Sequence, residues 1–266
     1  MRGDHDKITQ VIRHHWDRRA NTFDDEMGHG LVSEQQRRAW LDLFSRLVGS
    51  APQRVLDVGC GTGFLAFRFA ELGHTVTGID IAPRMIDRAR RKAEQANQQI
   101  DFRVGNAAAL DCPDKTYDWV VARHVIWNLP DPERGVAEWL RVLRPGGRLV
   151  LIEGKWADNE ALALRYTRPA SRFLARVIDA GVAVATFRRR GSYRRYRRIE
   201  AQLPFSGGAP AKRLVAFLQA NHLHDLAVEP LTDPTLWGEV PRFQRYLVVG
   251  TRLSADTEAS FRQLQE

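Results

Sequence analysis

An apolar run from Val55 ends in an acid, Asp57, and glycines then alternate at Gly59, Gly61 and Gly63. Glycine turns the chain at positive φ and lets a ligand approach bare backbone. A buried strand that feeds such a turn, and then a helix, makes a nucleotide-sized pocket at the carboxyl edge of a parallel sheet. The spacing is Asp-x-Gly-x-Gly-x-Gly, which differs from the Gly-x-Gly-x-x-Gly of dinucleotide sites. Those sites seat a pyrophosphate on a helix N-terminus. Here a carboxylate two residues before the first glycine disfavours phosphate and favours a cation or a hydrogen-bond donor. Asp80 closes the next apolar run and can accept both hydroxyls of a ribose; a helix N-cap before Pro83 is its other reading. His124, within Ala122 to Pro130, carries an imidazole whose ordinary pKa suits general-base work near neutrality.

The elements that must position these residues follow from periodicity and breakers. Residues 5–28 and 33–48 read as helices, the second stopped by Gly49. Strands are expected at 54–58, at 75–79 ending in Asp80, at 100–104, at 117–122 and at 148–153. Helices are expected at 63–72, from Pro83 to about Ala96, and at 131–143, the last closed by an Arg144-Pro145-Gly146-Gly147 turn. Strands alternating with helices imply a parallel sheet covered on both faces. Right-handed crossovers then bring Asp57, Asp80, Asn106, Arg123 and Glu153 to one rim. After Glu153 the alternation breaks. One long helix or two are expected over 158–187, a helix at 211–220, strands at 225–229 and 242–250, and a tail helix.

A chain of 266 residues buries one substantial core with room for extra segments. No apolar run approaches the ~20 residues that span a bilayer, and the polar N-terminus does not read as a secretory signal. Cys60 and Cys112 have no metal-ligand spacing and make no disulfide scaffold, so a cytoplasmic, reducing home is expected. The net charge of +8 is unevenly placed: Lys155 to Arg213 carries 14 Lys and Arg against 4 Asp and Glu, and the rest of the chain is slightly acidic.

Together these residues resemble the class I S-adenosylmethionine-dependent methyltransferases, over about Ala51 to Glu153 and the last two strands. The closest likeness is to the ubiquinone/menaquinone-type, small-molecule group. Val55–Gly63 resembles the family's first motif, Thr77-Gly78-Ile79-Asp80 its second-strand acid, and Gly105-Asn106-Ala107 its adenine-contacting turn. Tyr117-Asp118-Trp119-Val120 resembles its fourth strand, and Leu143-Arg144-Pro145-Gly146-Gly147 the turn after the following helix. The family usually has Asp where this chain has Asn106; an amide still offers an acceptor oxygen, without the charge.

The resemblance implies a Rossmann-like, doubly wound α/β sheet of about seven strands, mostly parallel with the last antiparallel. It implies S-adenosyl-L-methionine as cofactor. Gly59, Cys60, Gly61 and Gly63 would admit its methionine part, and Asp57 would orient the network around its amino group. Asp80 would hold the ribose, Ile81 would pack on the adenine, and Asn106 and Ala107 would cap it. Arg123 would reach the cofactor carboxylate or an acidic substrate. A helical segment over residues 1–50 would fold across the cofactor, with Trp16 on the methionine end and His29, with Trp127, on the acceptor. Residues 51–155 and 222–253 would form the core, 156–221 a helical cap that decides the acceptor, and 254–266 a tail. His124 is the candidate base. No metal is expected, because His14 and His15 are adjacent and face different ways on a helix.

The stretch Arg188 to Arg198 holds seven arginines with Tyr193 and Tyr196 interleaved. Such a run suits a solvated helix face, a contact to a second copy in a homodimer, an acidic small molecule, or RNA, on whose bases tyrosines stack. The leading expectation is methyl transfer to an O, N or C atom of a small metabolite. A tRNA or rRNA methyltransferase is one alternative and a non-catalytic S-adenosylmethionine-binding protein another; a nicotinamide dehydrogenase has the wrong glycine spacing.

Overall fold

The computed structural model describes residues 2–26, 28–155, 195–238, 240–241 and 243–253, with side chains from residue 5 onward. The helices expected at 158–187 and in the tail, and most of the arginine run, lie outside these residues.

Seven strands form one sheet in the order β3-β2-β1-β4-β5-β7-β6. They are β1 Arg54–Val58, β2 Thr75–Asp80, β3 Asp101–Val104, β4 Tyr117–Arg123, β5 Leu143–Lys155, β6 His224–Pro230 and β7 Gln244–Thr251. β1 to β5 pair in parallel, and β7 inserts antiparallel between β5 and β6. The inner strands β1, β2, β4, β5 and β7 carry buried apolar runs because both faces of the sheet are covered there. Leu56, Val120, Ala122, Leu149 and Leu151 enter one core with Trp139. Val55, Val121, Val150 and Ile152 enter the other with Trp40, Phe44 and Phe69.

The helices are α1 Arg2–Arg19, α2 Glu34–Val48, α3 Phe64–Glu71, α4 Pro83–Gln95, α5 Pro132–Val142, α6 Ala211–Ala220 and the short α7 Pro234–Trp237. Residues 195–200 are also helical. Ser33 Oγ caps α2 by accepting the Gln36 N–H, and Gly49 ends it at φ +77°. Two expectations shift. The first helix stops at Arg19, and a 3-10 turn, Phe23–Asp25, follows it. β5 begins at Leu143, before the Pro-Gly-Gly turn. Leu143 pairs with Tyr117, and Gly146 and Gly147 exchange backbone hydrogen bonds with Arg252. α7 carries no sequence period in its single turn. It is held because Leu236 O accepts from Trp40 Nε1 and Gln36 Nε2.

The strand order reverses between β1 and β4. A ligand crevice forms at such a reversal, outside the carboxyl ends of the strands. The sequence places Asp57 and Arg123 there.

Candidate active site at the carboxyl rim of the sheet

A cavity of about 390 Å³ opens at this reversal. Asp57, Gly59, Cys60, Gly61, Asp80, Ile81, Asn106, Ala107, Arg123, His124, Trp16, Trp127 and His29 all line it. Gly63 does not line it. It stands at the N-cap of α3 with φ +90°, where a Cβ would lie 2.8 Å from Phe102 Cζ. Its bareness serves a phenylalanine instead of a ligand. Gly59 and Gly61 carry φ of +66° and +55°, so the backbone presents no side chain to the cavity.

The turn is pinned from below. Ile79 O accepts the N–H groups of Gly59 and Cys60. Gly63 offers α3 no capping side chain, and Asp57 supplies the acceptor from β1: its Oδ2 takes the Ala66 N–H at 3.0 Å. Asp80 spans two elements. Oδ2 accepts the Gly61 N–H at 2.9 Å and Oδ1 the Ala82 N–H at 2.8 Å. Both carboxylates lie largely out of water. Burial pushes Asp57 up to about 7, with the nearby Asp80 adding to the shift and Ala66 N–H and Arg123 opposing it. Burial pushes Asp80 up to about 6 against its two backbone donors. Asn106 Oδ1 closes its own turn on the Ala108 N–H, and Ala107 O accepts from Trp139 Nε1.

The N-terminal segment covers this rim. Asp17 accepts the first N–H of α4, from Arg84. Asp24 accepts from Thr62 Oγ1 and from Lys92 Nζ. These ties set Phe23 over Gly61, where a Cβ would approach its Cε1 to 3.3 Å. Trp16 meets Phe23 and Trp127 edge-on at 6.0 and 6.3 Å. Arg123 lies half-buried over the Phe64 ring at 3.8 Å and donates to Gly28 O and His29 O. Burial, then Arg245, lowers it to about 9, so it stays charged near neutrality.

Two of the histidines that line the cavity, His29 and His124, are held neutral. Burial and Arg123 lower His29 to about 3, and the same two causes hold His124 well below its ordinary value. A neutral imidazole accepts a proton, but one so depressed in pKa is a weak base. The sequence reading of His124 did not foresee the cations around it. Among the described residues no three metal-ligating side chains come together, and no helix is long and apolar enough to cross a membrane.

Sequence reasoning missed several lining residues: Phe23, Asn128, Phe243 and Arg245. The interleaved tyrosines were also misjudged in part. Tyr196 is buried, stacks on His15 at 3.6 Å and donates to Asn128 Oδ1 at 3.0 Å. It is therefore unavailable to stack on a nucleobase, and it latches residues 195–200 to the cavity wall; Tyr193 lies outside the described residues. Tyr196→Phe is expected to cost about 1 kcal/mol of stability and to leave S-adenosylhomocysteine affinity unchanged within about twofold. Thermal melting and calorimetry check both halves.

The donor set suits a nucleoside joined to an amino acid and lacks a seat for phosphate. A carboxylate at the end of β2 matches a vicinal diol, one at the end of β1 matches an ammonium, and two glycines leave the path between them bare. Residues 56–151 match the family model described as "Methyltransferase domain". A demethylmenaquinone methyltransferase of Thermus thermophilus is 42% identical over 132 residues, 49% of this chain and 59% of that protein. One from Tropheryma whipplei is 35% identical over 185 residues, 67% of this chain and 74% of that protein. The chain thus spans little more than half of the first relative and about three quarters of the second. The crystal structure of a methyltransferase from Methanosarcina mazei aligns with TM-score 0.54 at 23% identity, covering 79% of this chain and 97% of that one, and shares the fold. The chain belongs to the class I S-adenosylmethionine-dependent methyltransferases, a family of enzymes, and S-adenosylmethionine is its cofactor.

The raised carboxylates give cofactor binding a pH dependence. A carboxyl whose pKa is higher folded than unfolded stabilises the folded chain below its ordinary value and loses that contribution as pH rises through the folded value. For Asp57 and Asp80 the loss runs from about 4 to about 7. A ligand ammonium at Asp57 favours the ionised form. S-adenosylhomocysteine affinity is therefore expected to rise several-fold between about pH 5.5 and 7.5, with protons released on binding. Calorimetry in buffers of different ionisation enthalpy measures that release, and proton uptake instead would contradict the placement of the ammonium.

Proposed function

We propose that this chain transfers the methyl group of S-adenosylmethionine to an O, N or C atom of a small organic metabolite held in the same cavity. The observation that carries the reading is the continuity of that cavity. It runs from the Asp57–Gly61 turn and Asp80 into a chamber walled by Trp16, Trp127, Phe23 and Leu129. A cavity of this size with aromatic walls fits a small, largely apolar acceptor better than a polynucleotide. The names of the Thermus and Tropheryma relatives point the same way, to a quinone-like ring.

The cofactor supplies an electrophilic methyl group on a sulfonium. The residues of this chain bind, orient and exclude water. In this reading Gly59, Cys60 and Gly61 offer backbone to the methionine part, and Asp57 meets its ammonium. Asp80 accepts the ribose hydroxyls. Ile81 packs on the adenine, with Asn106 and Ala107 at its edge. Arg123, still cationic, meets the methionine carboxylate. Trp16 shuts the methionine end from water, and Trp127 and His29 shape the acceptor chamber. His124 lines the same cavity as a neutral imidazole and would take or give a hydrogen bond at the reacting atom.

An acidic acceptor is compatible with a further cation, Arg245, on the cavity wall. The layout of a covering segment at 1–50, a split core and a cap at 156–221 belongs to the same proposal. So do a cytoplasmic setting and assembly as a homodimer.

The test is calorimetric titration with S-adenosylhomocysteine, followed by label transfer from methyl-labelled S-adenosylmethionine to a panel of hydroxylated aromatic acids, quinols and amines. No cofactor binding sinks the reading. Binding without transfer to any acceptor favours a non-catalytic cofactor-binding protein. Transfer only to RNA would move the acceptor site out of the chamber.

A further inference from the structure

Arg84, Arg88 and Lys92 recur every fourth residue on α4 and so stand in one row on its surface. Residues 16–26 are tied along that row. Asp17 Oδ1 accepts the Arg84 N–H at 2.8 Å, and Asn21 O accepts from Arg88 Nη1 at 2.9 Å. Asp24 closes the row: its Oδ2 accepts from Lys92 Nζ at 3.1 Å and faces Arg88 Nη2 at 3.5 Å. Its Oδ1 accepts from the hydroxyl of Thr62, the residue that follows Gly61. Lys92 Nζ also lies 3.4 Å from Thr62 Oγ1, so the three side chains form a closed ring. Beside this polar row Ala20 packs with Ala82 and Met85, and Trp16 and Phe23 pack around them.

Asp24, Thr62 and Lys92 do not line the cavity, whereas Trp16, Arg19, Phe23, Gly28 and His29 do. The ring therefore acts on the cavity through the segment that it holds. An ion pair in open water contributes little. Here the Asp24 side chain is only 19% exposed and Thr62 is 1% exposed, so water competes weakly for their bond. The chain also folds back closely on itself at this point. A Cβ on Gly30 would lie 2.1 Å from Asp24 O, which packs the Asp24 backbone directly on the stretch whose carbonyls, at Gly28 and His29, hold Arg123.

We propose that Asp24 is a positioning residue for the cofactor: it clasps residues 16–26 to the glycine turn and so sets how fast the cofactor leaves. With the ring closed, Phe23 stands over Gly61 and Trp16 meets Phe23 edge-on. Opening the ring releases one wall of the cavity, while Asp57 and Asp80 stay in place at the ends of β1 and β2. The cost falls on residence time. Association is not slowed, because a loosened cover leaves the way in at least as open as before.

The inference rests on the methionine part of the cofactor lying at Gly59–Gly61, and on no particular acceptor. Stopped flow on the full chain gives the association and dissociation rates of S-adenosylhomocysteine, and hydrogen exchange is followed on the ligand-free chain. Asp24→Asn keeps the shape and removes the charge. It is expected to release the ligand about tenfold faster, with association within about twofold of wild type. In the ligand-free chain it should lose protection in residues 16–26, while β1 and β4 keep theirs. Thr62→Val keeps the ion pairs and cuts the tie to the turn, and should speed release about threefold. Asp24→Glu restores the carboxylate and should recover most of the residence time. Unchanged release in both Asp24→Asn and Thr62→Val overturns the proposal. So does an affinity loss carried by slower association, or protection lost throughout the sheet, as a merely structural Asp24 would give. If Asp24→Asn does not fold, Thr62→Val decides. A wild type with no affinity for S-adenosylhomocysteine would sink the placement of the cofactor, and exchange on the ligand-free chain would still decide whether Asp24 holds the cover.

Discussion

Replacing Asp80 with alanine is expected to weaken S-adenosylhomocysteine binding about 100-fold, close to 3 kcal/mol. Two losses combine. The ribose loses its carboxylate acceptor, and hydrogen bonds to a charged group contribute about 1.5–3 kcal/mol each. The glycine turn also loses its tie to β2, because the N–H groups of Gly61 and Ala82 both end on this side chain. Gly61 then no longer holds a fixed distance to the cofactor. Asp80→Asn separates the two: it keeps one acceptor for a backbone donor but loses the charge, and it should fall between wild type and alanine. The stability of the ligand-free chain should respond differently. Asp80 sits in surroundings that push its pKa up to about 6, so its removal relieves an unfavourable buried charge above that pH while orphaning two donors. An alanine variant that folds and binds with unchanged affinity would show that Asp80 does not hold the ribose.

Much of this rim was legible because its residues lie next to breakers in the sequence. Asp57 and Asp80 each end an apolar run, and the strand termini that carry them fall within a residue of where periodicity puts them. Parallel topology then brings distant strand ends to one edge, so the sequence alone assembled Asp57, Asp80, Asn106 and Arg123. The rest depends on facts that no local pattern holds. Glycine spacing says that a side chain is missing, not what fills the space; Gly59 lines the cavity, whereas Gly63 makes room for Phe102. Arg245 reaches the site because β7 runs antiparallel beside β5 and sets it opposite Gly154, and nothing near residue 245 signals that register. Phe23 covers Gly61 through Asp24, whose partners Thr62 and Lys92 are 38 and 68 residues away. Even the imidazole of His124 was legible only as an imidazole. Its proton affinity is set by burial, Arg123, His29 and Arg245, three side chains from three separate parts of the chain.

Gly59→Ala should be the more damaging of two matched substitutions in the turn, and comparing it with Gly63→Ala separates ligand space from packing space. Both positions have positive φ, at which an L-residue costs about 1–2 kcal/mol. At Gly59 a Cβ would lie 2.5 Å from Val125 Cγ2. Val125 cannot yield easily, because its N–H is held by the fully buried Glu153. Overpacking of this kind costs about 1–3 kcal/mol more, so a total near 4 kcal/mol and a fall in Tm of about 10 °C are expected. The clash is relieved by moving the turn into the cavity that Gly59 lines, so cofactor affinity should fall together with stability. At Gly63 the Cβ would meet Phe102 and Phe67 at 2.8 and 3.0 Å, outside the cavity lining. That variant should lose stability to a similar degree, while its folded fraction binds S-adenosylhomocysteine within about threefold of wild type. Melting curves with and without ligand, and calorimetry below the melting range, read the two effects separately. Equal losses of affinity in both variants would mean that the turn moves as one rigid piece and that Gly63 shapes the cofactor cradle after all.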